Sequence, residues 1–190
     1  MIFFKLFLLS GLIAHKALWM MMKRGSPAHR AEPRRASPRL LAVKAVKVAI
    51  LLGVAAQIFA GDILPIMPGD AASLRIVGGV VYAAGLCIAM LGRLQLGNNW
   101  TDIEVGKVLQ KHRVVSRGVY RFIRHPIYVG DLLLLLGLEL ALNSSLVVMV
   151  VILAGPVLAK AVQEERLLEQ SLAGYAEYAK NTKRFIPFVV

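Results

Sequence analysis

Apolar residues in this chain fall into long blocks and do not alternate with polar residues as they would in a half-buried strand. The blocks cover, approximately, residues 2–22, 40–60, 74–96, 126–142 and 146–172. A helix needs about 20 apolar residues to cross roughly 30 Å of hydrocarbon, and it satisfies its own backbone hydrogen bonds in lipid. The pattern therefore predicts an all-α fold, a polytopic transmembrane helical bundle of four or five spans.

Two N-terminal regions differ from the rest of the chain. Residues 1–22 are apolar but contain two lysines and a histidine. Because no small-residue cleavage site is visible, they predict a marginal transmembrane or interfacial helix in preference to a signal peptide. Residues 23–40 are rich in arginine and proline. They cannot supply a core and are predicted to be a basic linker on the membrane surface. Residues 41–190 form the main membrane domain.

The distribution of basic residues predicts the orientation. Of the 23 Lys and Arg residues, eight lie in residues 23–47, seven in 93–124 and five in 160–184. Cytoplasmic loops carry an excess of Lys and Arg, so these segments and the C-terminus are predicted to be cytoplasmic. The net charge of +12 is thus explained by membrane topology. Anionic membrane lipids are the expected partners, and nucleic acid is not.

Disulfide and metal chemistry have little support in the sequence. Cys87 is the single cysteine, so an internal disulfide is impossible. The four histidines are scattered without ligand spacing, and no metal site is predicted. Two acidic residues inside apolar blocks, Asp131 and Glu139, have no role that the sequence assigns.

The sequence RHPIYVG, which begins at Arg124, is the strongest candidate for a functional site. It places Arg124, His125 and Tyr128 beside Pro126 at the start of the fourth apolar block. Proline suits a first helical turn, and the N-terminus of the helix that follows favours an anion. Gly130 lies about one turn further on, where the absence of a side chain would let a bulky ligand approach the backbone.

Two adjacent carboxylates, Glu164 and Glu165, lie in the charged continuation of the fifth block. The fourth and fifth blocks are joined by a short turn at Asn143, so both motifs are predicted at the same cytoplasmic end of a helical hairpin. Ionisable groups beside lipid are costly and usually functional. The helix N-terminus could bind a carboxylate, and a glutamate could bind an ammonium group. Together they predict a binding site for an amino acid moiety. Glu164 is the preferred partner of the ammonium, and Glu165 is expected to face water.

The stretches GVYRFIRHPIYVG, EERLL and GYAEYAKNTKRFIP together resemble the isoprenylcysteine carboxyl methyltransferase family. That family belongs with the phospholipid methyltransferases in one integral-membrane group. The shared pattern is RHP-x-Y-x-G, a variable span and then EE-x-x-L. The resemblance covers roughly residues 75–190. It is specific for fold and cofactor and weak for the substrate.

The resemblance implies a cofactor and two sets of site residues. Members bind S-adenosylmethionine on the cytoplasmic side, in a pocket formed by the last helical hairpin and the C-terminal segment, and a lipophilic acceptor enters from the bilayer. The implied cofactor-binding residues are His125, Pro126, Tyr128, Gly130 and Glu164. The catalytic candidates are Arg124, whose planar guanidinium suits an acceptor carboxylate, and Glu165 or His125, either of which would accept a proton from an amine.

Several functions remain open at this point. Carboxyl O-methylation of a prenylated cysteine-like acceptor is the nearest resemblance, and N-methylation of a phospholipid or another amine is the first alternative. A sterol-reductase-like enzyme that uses NADPH has a similar R-x-P-N-Y pattern, although Ile127 replaces its asparagine. A membrane scaffold without catalysis is the last alternative. The sequence identifies neither the acceptor nor the oligomeric state.

Overall fold

The computed structural model describes residues 2–25, 38–60, 64–99 and 113–188, and within these ranges every regular element is a helix. The helices are α1 (Ile2–Gly25), α2 (Pro38–Ala60), α3 (Ala72–Leu96), α4 (Pro126–Ala141), α5 (Val147–Ser171) and α6 (Tyr175–Asn181). Short 3-10 turns follow α3 and precede α4, at Gly97–Asn99 and Gly118–Arg121. The predicted all-α fold is confirmed for the part of the chain that the structure describes.

Three helices of the described ranges are long and apolar enough to cross a membrane. They are Ile2–Lys23 of α1, all of α3 and all of α5. The apolar part of α2 is shorter, Val48–Ala60, and α4 has 16 residues. The chain is therefore a helical membrane protein.

The basic segment predicted as a linker, residues 23–40, is helical at both of its ends. α1 continues to Gly25, and α2 begins at Pro38, where proline suits a first helical turn. The intervening residues 26–37 lie outside the described ranges. Each of the two helices thus overlaps the predicted linker by three residues.

Glycines allow α3 and α4 to approach each other closely along their whole length. A Cβ added to Gly78 would lie 2.7 Å from the Cα of Ala141, and one on Gly137 would lie 2.6 Å from the Cα of Tyr82. No side chain fits at such distances, so the two backbones are in direct contact. The glycines of α3 and α4 thus permit the close packing of these two helices.

The N-terminal helix α1 is a packed part of this bundle. Leu8 and Leu12 are buried against Tyr82 of α3, and the Tyr82 hydroxyl donates a hydrogen bond of 2.6 Å to the Leu8 carbonyl. Nearer the other end of α1, His15 lies 3.0 Å from a carboxylate oxygen of Asp131 on α4. These contacts fix α1 against both central helices.

The turn between α4 and α5 is built around Asn143. This fully buried residue has a left-handed backbone (φ +52°), a conformation that asparagine tolerates better than most residues. Its side-chain amide accepts from the Met67 N–H and donates to the Met67 carbonyl, each at 2.9 Å. Close by in sequence, Glu139 accepts a 2.8 Å hydrogen bond from Gln57 of α2. The turn brings the start of α4 and the end of α5 to the same end of the bundle.

Candidate functional site

The hairpin brings the two sequence motifs into direct contact. Pro126 begins α4, where its missing N–H leaves no intrahelical bond unmade. Tyr128 lies in the first turn, and its hydroxyl donates a hydrogen bond of 3.1 Å to Oε2 of Glu164 on α5. These residues are 36 positions apart in the chain. The contact occurs beside a cleft at this end of the bundle.

Tyrosines form much of the wall of the cleft. Four of the five tyrosines in the chain line it, namely Tyr120, Tyr128, Tyr175 and Tyr178. Among the described residues that line the cleft, the ionisable ones other than tyrosine are Arg113, Arg124, His125 and Glu164. The cleft encloses about 120 Å³, and about 830 Å³ when the open solvent at its mouth is included. Glu164 is the one carboxylate among the described residues of the lining.

The tyrosines outside the helical spans are neutral over the physiological range of pH. Burial raises the pKa of Tyr178 to about 12 and raises the pKa values of Tyr120 and Tyr175 as well. The Tyr178 hydroxyl also donates a 2.8 Å hydrogen bond to the Tyr120 carbonyl. A wall of neutral aromatic rings beside one carboxylate suits a cationic ligand, because the faces of such rings attract positive charge.

Glu165 is outside the described lining of this cleft and holds together two arginines and a histidine, here called the Glu165 cluster. Its Oε1 accepts from Nε of Arg124 at 2.7 Å and lies 3.0 Å from Nε2 of His125. Its Oε2 accepts from Nε of Arg184 at 2.9 Å, and a second guanidinium nitrogen lies at 2.7 Å. The residue is only 5% exposed. The expectation that Glu165 faces water is therefore wrong: its neighbours satisfy the charge in the interior.

The guanidinium of Arg124 is used within the protein. Besides Glu165, it donates to the carbonyl oxygens of Ala179, at 2.8 Å, and of Thr182. The side chain is 10% exposed. These bonds use Nε and Nη1, so only Nη2 remains for the carboxylate of an acceptor. The geometry therefore favours a positioning role for Arg124 over direct contact with a substrate.

A C-terminal strap, residues 182–185, completes the Glu165 cluster. The backbone N–H groups of Arg124 and His125 donate to the carbonyls of Lys183 and Arg184, at 2.8 and 3.2 Å. The ring of Phe185 lies 5.7 Å, between centroids, from that of His125. The hydrogen bonds to Glu165 raise the pKa of Arg184. Arg184 was not predicted as a site residue. The only feature of the sequence that pointed to it is its position inside the stretch GYAEYAKNTKRFIP, which carries part of the family resemblance.

The structure divides the seven predicted site residues into two groups. Arg124, His125, Tyr128 and Glu164 line the cleft, and Pro126, Gly130 and Glu165 are outside its described lining. A Cβ on Gly130 would lie 2.7 Å from the Cα of Ala89, so the glycine faces α3. The proposed reason for its presence, access for a ligand, is therefore wrong, because α3 occupies that space.

Pro126 likewise contacts α3, since its Cγ would lie 3.3 Å from a Cβ added to Gly92. Among the described residues, no three His, Cys, Asp or Glu side chains are grouped in a way that could hold a metal ion.

Comparisons with known proteins show the family of this chain. Residues 74–173, more than half of the chain, match the family model described as phospholipid methyltransferase. The cobalt-zinc-cadmium resistance protein CzcN of Cupriavidus metallidurans is 34% identical over 105 residues, which are 54% of this chain and 46% of that protein.

Two other relatives are protein-S-isoprenylcysteine O-methyltransferases by name. The Tribolium castaneum protein is 29% identical over 115 residues, 55% of this chain and 41% of that protein. The probable enzyme of Oryza sativa subsp. indica is 28% identical over 116 residues, 60% of this chain and 61% of that protein. The chain thus spans about two fifths to three fifths of the length of these relatives. The resemblance seen in the sequence is confirmed, and the chain belongs to the phospholipid methyltransferase family.

Proposed function

We propose that this protein is an S-adenosylmethionine-dependent methyltransferase that acts on a lipophilic acceptor. Membership of the family supports the activity. The observation that carries the proposal is the contact of Tyr128 with Glu164 in a cleft walled by tyrosines. Carboxyl O-methylation of an isoprenylcysteine is the first candidate reaction, because two relatives are named for it.

The residues of the cleft fit the charges of the proposed methyl donor. Glu164 would accept hydrogen bonds from its ammonium group, and the hydrogen bond from Tyr128 orients this carboxylate. The neutral tyrosines would stack on the adenine or face the positive sulfur. When bound, S-adenosylmethionine supplies a methyl group that its sulfonium has already activated. The protein therefore needs mainly to align the two reactants and exclude water.

Two roles differ from those expected from the sequence. We assign Arg124 and Glu165 to positioning, because each uses its charge on the other and on neighbouring groups of the protein. His125 also contacts Glu165, and it stacks on Tyr128 at 5.6 Å between centroids. The Glu165 cluster would thus hold the two rings that border the donor.

N-methylation of a phospholipid or another amine is the second candidate. An amine acceptor must lose a proton, and Glu164 is the only carboxylate in the described lining of the cleft. Glu165, the earlier candidate for this step, is buried and contacts two guanidinium groups and the His125 ring, so it has no access to an acceptor.

We also propose that the cleft faces the cytoplasm and that four or five helices span the membrane. Twenty of the 23 Lys and Arg residues lie in three segments that this orientation places inside. The strap that completes the site is C-terminal, so the C-terminus would be cytoplasmic. Helices α2 and α4 would join the three longer helices as shorter or tilted spans.

Titration of S-adenosylmethionine into the detergent-purified protein tests the donor site. Charged hydrogen bonds contribute about 1.5–3 kcal/mol, so Glu164→Gln should weaken binding roughly 10- to 150-fold. The matched control is Glu169→Gln, an exposed carboxylate on the same helix, which should leave binding unchanged. Equal affinities of the two variants would remove Glu164 from the proposed site, and binding of NADPH in place of the donor would contradict methyl transfer.

The class of acceptor requires a separate measurement. Membranes that contain the protein would be incubated with radiolabelled methyl donor, and the labelled product would then be treated with base. A base-labile methyl ester would support carboxyl O-methylation. Label that survives in a headgroup amine would support the second candidate.

A further inference from the structure

A groove lies beside the cleft, between residues 113–121 and helix α6. It shares four lining residues with the cleft, namely Arg113, Val114, Leu172 and Tyr178. The two spaces are therefore adjacent. Two guanidinium groups, those of Arg113 and Arg121, line the groove. Its acidic residue, Glu177, already accepts from Asn181 at 3.2 Å and lies 3.6 Å from the ammonium of Lys180.

Arg113 differs from the other arginine of the cleft in what it can offer to a ligand. The guanidinium of Arg124 donates through Nε to Glu165 and through Nη1 to two backbone carbonyls, which leaves only its Nη2 for a ligand. By contrast, no hydrogen bond or ion pair joins the Arg113 guanidinium to another residue of the described ranges. The backbone N–H of Arg113 donates to Oδ1 of Asn99 at 2.9 Å, which fixes the start of this segment beside the cleft.

We infer that Arg113, supported by Arg121, binds an anionic group of the methyl acceptor, a carboxylate or a phosphate. This inference rests on the proposed function. The planar fork of arginine matches the oxygens of either anion. The apolar chain of the acceptor would lie along the part of the cleft lined by Leu96, Ile127 and Leu168, which belong to three helices of the bundle. Arg113 thus takes the role that sequence reasoning gave to Arg124.

The experiment measures binding of simple anionic amphiphiles that cannot react. Decanoate and decyl phosphate would be titrated into the full-length protein in non-ionic detergent, and S-adenosylmethionine would be titrated into the same samples. The variants are Arg113→Gln and Arg121→Gln. Arg117→Gln is the matched control, because this exposed arginine of the same segment lines neither space.

We expect Arg113→Gln to weaken binding of at least one anion about five- to tenfold, with a smaller loss for Arg121→Gln. The control should change affinity less than twofold, and donor binding should be the same in all three variants. A loss confined to decanoate supports a carboxylate acceptor, and a loss confined to decyl phosphate supports a phospholipid. Unchanged binding of both anions in Arg113→Gln, or an equal loss in the control, would overturn the inference.

A different result would contradict the proposed function, namely a wild-type protein that does not bind the methyl donor. The two titrations therefore report on different claims. In a methyl-transfer assay with a competent acceptor, Arg113→Gln should raise the KM for the acceptor and leave the donor affinity unchanged.

Discussion

The Glu165 cluster offers the sharpest test of how the site is held together. Glu165→Gln preserves the size of the side chain and removes the negative charge that Arg124 and Arg184 share. Removal of one member of a buried ion pair costs about 3–5 kcal/mol, because the other charge stays buried without compensation. Here the charge left behind is Arg124, which is 10% exposed. Its backbone partners and the remaining amide oxygen favour the lower limit, about 3 kcal/mol.

The contribution of Arg184 should be smaller. Its side chain is 37% exposed, so water compensates for part of the lost interaction. We expect about 1 kcal/mol for Arg184→Gln. In the double variant with Glu165→Gln, most of this loss should disappear, because the carboxylate that Arg184 binds is already gone. A coupling free energy of roughly 0.5–1 kcal/mol is expected from the double-mutant cycle.

Thermal unfolding of the purified protein in detergent measures both effects. For a chain of this size, 1 kcal/mol shifts Tm by about 2–4 °C, so Glu165→Gln should lower Tm by roughly 6–12 °C. Glu169→Gln, at an exposed position one turn along the same helix, is the control and should shift Tm by less than 2 °C or so. Equal Tm values for the two glutamine variants, or strictly additive effects in the cycle, would refute the assignment of Glu165 as a buried structural hub.

Two further predictions concern the helix interfaces. Gly130→Ala should lower the free energy of unfolding by about 1–3 kcal/mol, because the added methyl would collide with the backbone of α3. The control, Gly53→Ala, should not destabilise the protein, because no atom lies within 4 Å of its new Cβ. Equal Tm values for the two variants would contradict the close approach of α3 and α4. Tyr82→Phe should cost about 0.5–1.5 kcal/mol, since it removes the hydrogen bond to Leu8. Faster proteolysis within α1 would report the loosened contact, and unchanged protection would argue against docking through this bond.

Local patterns were sufficient to predict most of the helices. The start of α4 follows from Pro126, and the turn at Asn143 follows from a short polar interruption between two apolar blocks. Close packing of α3 follows from its glycines, because a residue without a side chain permits direct backbone contact. Each of these features depends on residues close together in sequence.

Contacts across the bundle could not be predicted in the same way. His15 had no pattern that indicated a partner, yet it lies 3.0 Å from Asp131, 116 positions away. Glu139 had no assigned role, and its partner is Gln57 on a different helix. Such pairs depend on how helices rotate against one another, and hydrophobic blocks that are apolar on nearly all sides leave that rotation undetermined.

The division of work between Glu164 and Glu165 shows most clearly what lies beyond local sequence. Adjacent residues of a helix point about 100° apart, so only one of the two carboxylates can face a given neighbour. The start of α4 supplies Tyr128 on one side, and the strap supplies Arg184 on the other. Arg184 reaches Glu165 only because the strap pairs with the backbone of residues 122–125, an arrangement that no spacing of charges encodes. The pair EE therefore combines a carboxylate that lines the cleft with a buried one in the Glu165 cluster. We expect exchange of Glu164 to affect mainly donor binding and exchange of Glu165 to affect mainly stability.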